Sequence, residues 1–256
     1  MKKIILGFAL LVILQNTCGQ TKVIAHRGYW DCNGSAKNSL VALHKAHEQR
    51  VYGSEFDVWL TADGVAVINH DDTIQSRVIE TATYEQIRDA RLINGEILPT
   101  LEQFLIHGKA CMPTQLIVEI KPHKTAENEK RAVSTVVNLI KQHGLEARVE
   151  YISFSMNICR ELLLADSLAK VAYLAGDVPP AELKKAGLTG LDYHHQVLKD
   201  HPDWIVQARK LGLTTNVWTV NKAEDMEFFV GAGVDYITTD KPLLMMKILK
   251  NKKVKK

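Results

Sequence analysis

Residues 53–70 read GSEFDVWLTADGVAVINH, two β-branched and aromatic runs joined by Thr61-Ala62-Asp63-Gly64. An Asp-Gly pair so close to two apolar runs predicts a hairpin, because the turn it favours matches the twist of antiparallel strands. A parallel crossover would need a dozen or more residues. Working outward, further strand-like runs lie at Val23–Gly28, Gln115–Lys121, Glu150–Ser155, Lys170–Leu174, Gly190–His194, Thr214–Val220 and Val234–Thr239. Helix-like stretches lie between them at Ser39–Arg50, Thr100–His107, Ala126–His143, Asn157–Ala165, Pro180–Lys185, Trp204–Leu211 and Ala223–Gly231. This is the rhythm of βα units around a parallel sheet. Setting the hairpin's return run, Val65–His70, aside leaves eight parallel strands, the count of an α/β (β/α)8 TIM barrel with a small β-hairpin excursion after the second strand. An open doubly wound sheet is the alternative. No Gly-x-Gly-x-x-Gly follows the first strand, so its dinucleotide-binding version has no support. The long segment Asp71–Pro99 is expected to be loop plus a short helix near Tyr84–Arg91, partly covering one end.

The 256 residues suit one large domain, and 46% hydrophobic with 24% charged residues is an ordinary globular composition that argues against disorder and collagen. The formal charge of +3 is concentrated at the ends. Without the lysines of the first three and last ten residues, 24 basic residues face 29 acidic ones, so the body is net negative and offers nucleic acid no footprint. Lys2 and Lys3 precede an apolar run from Ile4 to Leu14, the pattern of a secretory signal over residues 1–19. Thr17 and Gly19 suit a cut before Gln20, whereas Cys18 offers the alternative of a lipoprotein leader, the only membrane attachment expected. Either route makes the protein exported, periplasmic or secreted. The domain is expected over 20–246, with 247–256 a Lys-rich solvated tail. Cysteines 18, 32, 111 and 159 show no metal-type spacing, and buried or free thiols are expected over a disulfide.

Residues two apart on a strand face the same side. Glu55 and Asp57 therefore project together, opposite Phe56 and Val58, while Glu119 and Lys121 project opposite Val118 and Ile120. The apolar partners suit the helix layer, which leaves three carboxylates and one ammonium pointing into the barrel. Burying that excess is costly unless something compensates, and one divalent cation would do so. Carboxylate oxygens with waters suit Mg2+ or Ca2+. An internal salt-bridge cluster centred on Lys121 is the alternative, but one base does not balance three acids.

Strand C-termini carry the active site of such barrels. His26 ends the first strand and His70 the hairpin, so both reach the same mouth, where two histidines can serve as acid and base. The other eight histidines receive no role. Arg27 and Lys121 add positive charge suited to a phosphate. Phosphate, divalent ion and paired histidines together describe metal-assisted phosphoryl transfer. Trp218 is read as either core or a ring facing substrate.

His26-Arg27-Gly28, Glu55-Phe56-Asp57-Val58 with Thr61-Ala62-Asp63-Gly64, His70-Asp71, Glu119-Ile120-Lys121, Trp218-Thr219-Val220-Asn221 and Thr238-Thr239-Asp240-Lys241-Pro242 resemble, in order, the motifs of glycerophosphodiester phosphodiesterases. The resemblance runs from about residue 22 to 243. It implies a TIM barrel that hydrolyses a small-molecule glycerophosphodiester to glycerol 3-phosphate and an alcohol. It implies Glu55, Asp57 and Glu119 as metal ligands and His26 and His70 as general acid and base. Arg27 and Lys121 would then bind phosphate, and Trp218 would line the pocket. One departure stands out. Where the family commonly has Pro-Glu-Asn-Thr, this chain has Ala36-Lys37-Asn38-Ser39 after a longer Tyr29–Ser35 stretch, a change expected to bear on substrate preference and not on catalysis. A phospholipase D-like or cyclising lyase of the same superfamily, and a non-catalytic phosphoester-binding barrel, are the competing functions.

Overall fold

The computed structural model describes residues 20–254. The leader and Cys18 lie outside the described residues. The strands are β1 (Lys22–Ala25), β2 (Gly53–Leu60), β3 (Ala66–Ile68), β4 (Thr73–Ile74), β5 (Arg77–Val78), β6 (Gln115–Ile120), β7 (Val149–Ser153), β8 (Val171–Tyr173), β9 (Gly190–His194), β10 (Thr214–Trp218) and β11 (Tyr236–Thr239). The helices are α1 (Leu40–Glu48), α2 (Leu101–Ala110), α3 (Ala126–His143), α4 (Met156–Ala165), α5 (Pro180–Lys185), α6 (His195–Asp200), α7 (Asp203–Lys210), α8 (Ala223–Ala232) and α9 (Pro242–Val254).

Around the barrel the order is β1, β11, β10, β9, β8, β7, β6, β2, and β1 pairs with β2 to close the ring. All eight pairings are parallel. β3 returns antiparallel along β2, with Trp59 opposite Val67, as the Asp-Gly turn predicts. The fold is thus a TIM barrel with the hairpin excursion where the sequence places it.

Alternation along the strands sorts the apolar residues into two sets. Val23, Ala25, Phe56, Val58, Leu116, Val118 and Ile120 face outward and join the large core beneath the helices. Ile24, Ile117, Ile152 and Leu174 face inward and fill the barrel. A third cluster, including Trp59, Val67, Ile79, Ile87 and Leu98, packs under the excursion between residues 61 and 99. That segment is built from the β4–β5 ribbon and two short 3-10 turns, and the helix expected near Tyr84–Arg91 is reduced to the turn Tyr84–Gln86. The reason is local pairing: Leu98 N–H donates to the Ala90 carbonyl and Arg91 bridges to Ile97, which draws the backbone out of helical register.

The expected tail is also different. α9 continues without a break through Val254, and Leu249 is only 8% exposed, so the Lys-rich end begins as an amphipathic helix anchored on the core. Met245 and Leu249, one turn apart, share the buried face. Among the described residues no helix is long and apolar enough to cross a membrane, and Cys32, Cys111 and Cys159 are free thiols.

If α9 is part of the fold, Leu249→Ala should destabilise the protein by about 2 to 5 kcal/mol, the usual range for truncating a buried leucine. Urea unfolding measures this; an unchanged midpoint would mean that the segment is a solvated tail.

Candidate active site

The β2–β6 register brings the acidic residues together. Asp57 pairs with Glu119 across the two strands, and Glu55 lies two positions before Asp57 on the same inward face. All three are buried, at 2%, 1% and 7% exposure for Glu55, Asp57 and Glu119, and one oxygen from each falls within 4.8 Å of the others. Lys121, two residues beyond Glu119 on the same face, places Nζ 2.6 Å from both Asp57 Oδ1 and Glu119 Oε1.

The Lys121 ammonium, expected to bind phosphate, lies buried between two carboxylates at this end of the barrel. A buried charge without a partner is far less stable than a paired one, and the i, i+2 spacing gives it that partner. The internal salt bridge considered from the sequence exists, but it engages only two of the three acids. Glu55 Oε2 accepts the Arg27 backbone N–H at 2.8 Å, while Glu55 Oε1 is buried with no hydrogen-bond partner.

The electrostatics carry the same message. Burial pushes Glu55 well above the usual carboxylate range, and the charges of Asp57 and Glu119 push it further. Burial, and then Asp57, push Glu119 up to about 7. Burial also raises Asp57, but Lys121, Asn38 and Arg27 outweigh it and hold that carboxyl below its ordinary value. On Lys121 burial works against the charge, and Glu119 and Asp57 more than restore it. The cluster is short of positive charge, and its unpaired acceptor is a hard oxygen. Glu55, Asp57 and Glu119 thus fit a divalent cation that prefers oxygen ligands.

The β1–α1 loop supplies the next shell. Arg27 and Asn38 both adopt left-handed backbone, at φ 55 and 61, a conformation uncommon outside glycine. Held this way, Arg27 turns its N–H to Glu55 and its carbonyl to Asn38 N–H. Asn38 clasps Asp57: Nδ2 donates to Oδ2 at 2.8 Å, and Asp57 N–H donates to Oδ1 at 3.2 Å. Gly28 follows at φ +76, and a Cβ there would stand 2.6 Å from that of Ala42, so the loop closes on α1 only with glycine.

His26 Nδ1 lies 2.8 Å from Asp240 Oδ1. Asp240 also accepts from Trp30 Nε1 and Asn221 Nδ2, and although burial opposes them, these contacts and His26 hold its carboxyl well below the usual range. An ionised carboxylate only accepts, so Nδ1 carries the proton and Nε2 is the reactive nitrogen. His26, Glu55, Glu119 and Trp218 line one small pocket. Trp218 is half-buried, with Nε1 donating to the Asp192 carbonyl and its ring edge-to-face with Phe154.

His70 lies across the mouth in a cleft of about 990 Å3 lined by Arg27, Trp30, Lys37, Asn38, Asp71 and Ile93, among others. Its Nδ1 is 2.6 Å from Asp71 Oδ1. Burial first, and then the charge of Lys121, lower its pKa below that of an ordinary imidazole. Arg27 Nε is buried 3.6 Å from Asp57 Oδ2 without a hydrogen bond.

The structure thus gathers His26, Arg27, Glu55, Asp57, His70, Glu119, Lys121 and Trp218 at one end of the barrel. Asp240, Asn38 and Asn221 receive no role from sequence, although all stand in the stretches quoted above; a polar side chain at a strand end or in the loop after β1 is the available signal. Asp192 had no signal beyond an acid inside a strand. It is buried on β9, its Oδ1 lacks a partner, and burial pushes its carboxyl well up against the opposing Asn216 contact.

The sequence profile of the glycerophosphoryl diester phosphodiesterase family matches residues 26–244. The chain belongs to that family and is an enzyme of its class, the phosphoric diester hydrolases. It is similar to a glycerophosphodiester phosphodiesterase of Parabacteroides distasonis, with 48% identity and a TM-score of 0.91 over 91% of this chain and 98% of that one. A glycerophosphodiester phosphodiesterase of Caldanaerobacter subterraneus is 29% identical over 90% of this chain and 98% of its own length. An Oleispira antarctica phosphodiesterase, solved with its product sn-glycerol-3-phosphate, shares the fold at a TM-score of 0.78 and 23% identity, over 90% and 97% of the two chains.

Asn38→Ala should leave the barrel folded but weaken divalent-cation binding about 10- to 100-fold, as loss of a ligand-orienting contact does. Calorimetric titration of Mg2+ or Ca2+ measures it, and wild-type affinity would remove Asn38 from the support of Asp57.

Proposed function

We propose that the chain is a divalent-cation-dependent hydrolase of small glycerophosphodiesters, releasing glycerol 3-phosphate and an alcohol, with His26 and His70 as the acid and base. The observation that carries this reading is the arrangement at the mouth: a buried carboxylate triad with an unsatisfied oxygen, flanked by two histidines and an arginine. The product follows the Oleispira antarctica phosphodiesterase, described with sn-glycerol-3-phosphate. Mg2+ or Ca2+ held by Glu55, Asp57 and Glu119 would neutralise charge on the phosphoryl oxygens.

The protein's own groups supply the remainder. Arg27 draws the phosphate into the cleft, and its buried Nε retains an unused donor for an anionic oxygen. Lys121, held between Asp57 and Glu119, sets the charge of the triad and adds positive charge for the phosphate at the same mouth. His70, which favours the neutral ring, takes a proton from the attacking water. His26, as the imidazolium with its Nδ1–H held by Asp240, gives the Nε2 proton to the departing alkoxide as the P–O bond breaks and is left as the Nδ1–H tautomer. Trp218 and Phe154 form an apolar wall beside His26. The cleft along Trp30, Lys37 and Ile93 is where the departing alcohol is selected. Export, by signal cleavage or by lipidation at Cys18, is the location that the leader supports, and mass analysis of the mature N-terminus tests it.

Phosphorus NMR of the purified protein with glycerophosphocholine should show glycerol 3-phosphate with Mg2+ or Ca2+ and none with a chelator. Turnover indifferent to chelation would sink the metal reading, and an accumulating cyclic phosphate would establish a cyclising lyase in its place. His26→Ala and His70→Ala should each lose about 10²- to 10⁴-fold in kcat on that substrate. On a glycerophosphoryl ester of p-nitrophenol, whose leaving group needs no proton, His26→Ala should recover most of its loss while His70→Ala should not. Equal losses on both substrates would reject this division of roles.

A further inference from the structure

Among the described residues, a second group of metal-ligating side chains lies outside the barrel mouth: His44, His107 and Cys111 each offer one ligand atom within 4.8 Å of the other two. The spacing of the cysteines alone gives no sign of it, because the partners come from different helices. His107 and Cys111 are four residues apart at the end of α2 and share one face. α1 packs against α2, and the His44 and His107 rings meet edge-to-face at 5.9 Å.

Several features suit ion binding better than packing. His107 Nε2 is buried with no hydrogen-bond partner, a cost that packing leaves standing. Glu48, one turn beyond His44, places Oε1 3.3 Å from His44 Nε2, the carboxylate–imidazole contact that orients a ligand ring and leaves Nδ1 as its lone-pair donor. Arg148 pins the end of α2, donating from Nη1 to the Gly108 carbonyl and from Nη2 to those of Cys111 and Thr114. Burial pushes the Cys111 thiol up against the opposing charge of Arg148, so the sulfur stays protonated until an ion displaces that proton to solvent. Ligand atoms around tetrahedral zinc stand roughly 3.3 to 3.8 Å apart, as bond lengths of about 2.0 to 2.3 Å require. His44, with its side chain 53% exposed, is free to make the closing movement.

We propose that His44, His107 and Cys111 form a second metal site, selective for a late first-row transition ion such as Zn2+, that clamps α1 to α2. Two imidazoles and a thiolate are softer than the carboxylate triad and disfavour Mg2+ and Ca2+. Three protein ligands leave the fourth position to water.

Co2+ titration of the reduced protein, with Mg2+ in excess to occupy the carboxylate site, reads this directly through thiolate-to-metal charge transfer. One equivalent should develop the near-ultraviolet band. Cys111→Ser should abolish it, Cys32→Ser should keep it, and the exposed-site variant His44→Ala should weaken Zn2+ binding about tenfold or more. Zn2+ at a hundredfold over its Kd should raise Tm by about 5 to 10 °C, and Cys111→Ser should lose that rise. No band in the folded wild-type protein, a band surviving in Cys111→Ser, or unaltered Zn2+ affinity in His44→Ala would each overturn the site.

Discussion

Glu55, Asp57 and Glu119 occupy neighbouring positions on two hydrogen-bonded strands inside a barrel, where water cannot screen their repulsion. Each of the surrounding features answers that repulsion in part. Lys121 reaches back between two of the acids, the Arg27 N–H turns onto the third, and Asn38 fixes Asp57 from the adjoining loop. Two left-handed residues and a crowded glycine are retained in that loop because only this path delivers the Arg27 N–H and the Asn38 amide together. The answer is incomplete: Glu55 keeps a buried oxygen unpaired, and Glu119 is pushed up to about 7. A site left short of positive charge is one prepared to bind it.

The mouth is asymmetric in a way that suits acid–base chemistry. His26 is clasped by Asp240, itself held by Trp30 and Asn221, so ring and tautomer are defined by a network from three loops. His70 contacts the carboxylate of Asp71 on a more open loop, and burial beside Lys121 favours its neutral form. Two residues of one type thus meet different surroundings: Asp240 fixes the His26 proton on Nδ1, whereas burial beside Lys121 favours the neutral ring of His70.

Much of this was legible in the chain. Period-two alternation put Phe56, Val58, Val118 and Ile120 outside and the acids inside, and an Asp-Gly turn set the returning strand β3 apart from the eight parallel ones. Where the reading failed, packing outweighed local pattern. The stretch near Tyr84–Arg91 has helical composition, yet its end is drawn into backbone pairing with Ile97 and Leu98. The lysines after Met246 suggest a solvated tail, yet Met245 and Leu249 fall on one helical face and carry the chain onto the core.

The sequence by itself determined the strand count, the hairpin, the inward side of the acids and the identity of the residues at the mouth, because these depend on neighbours two to four positions away. Only the tertiary structure decided that Lys121 sits between carboxylates, that Asp240 holds His26, and that His44 meets His107 and Cys111. Those contacts join residues tens to hundreds of positions apart. Their geometry is set by strand register and helix packing, and no local pattern encodes it.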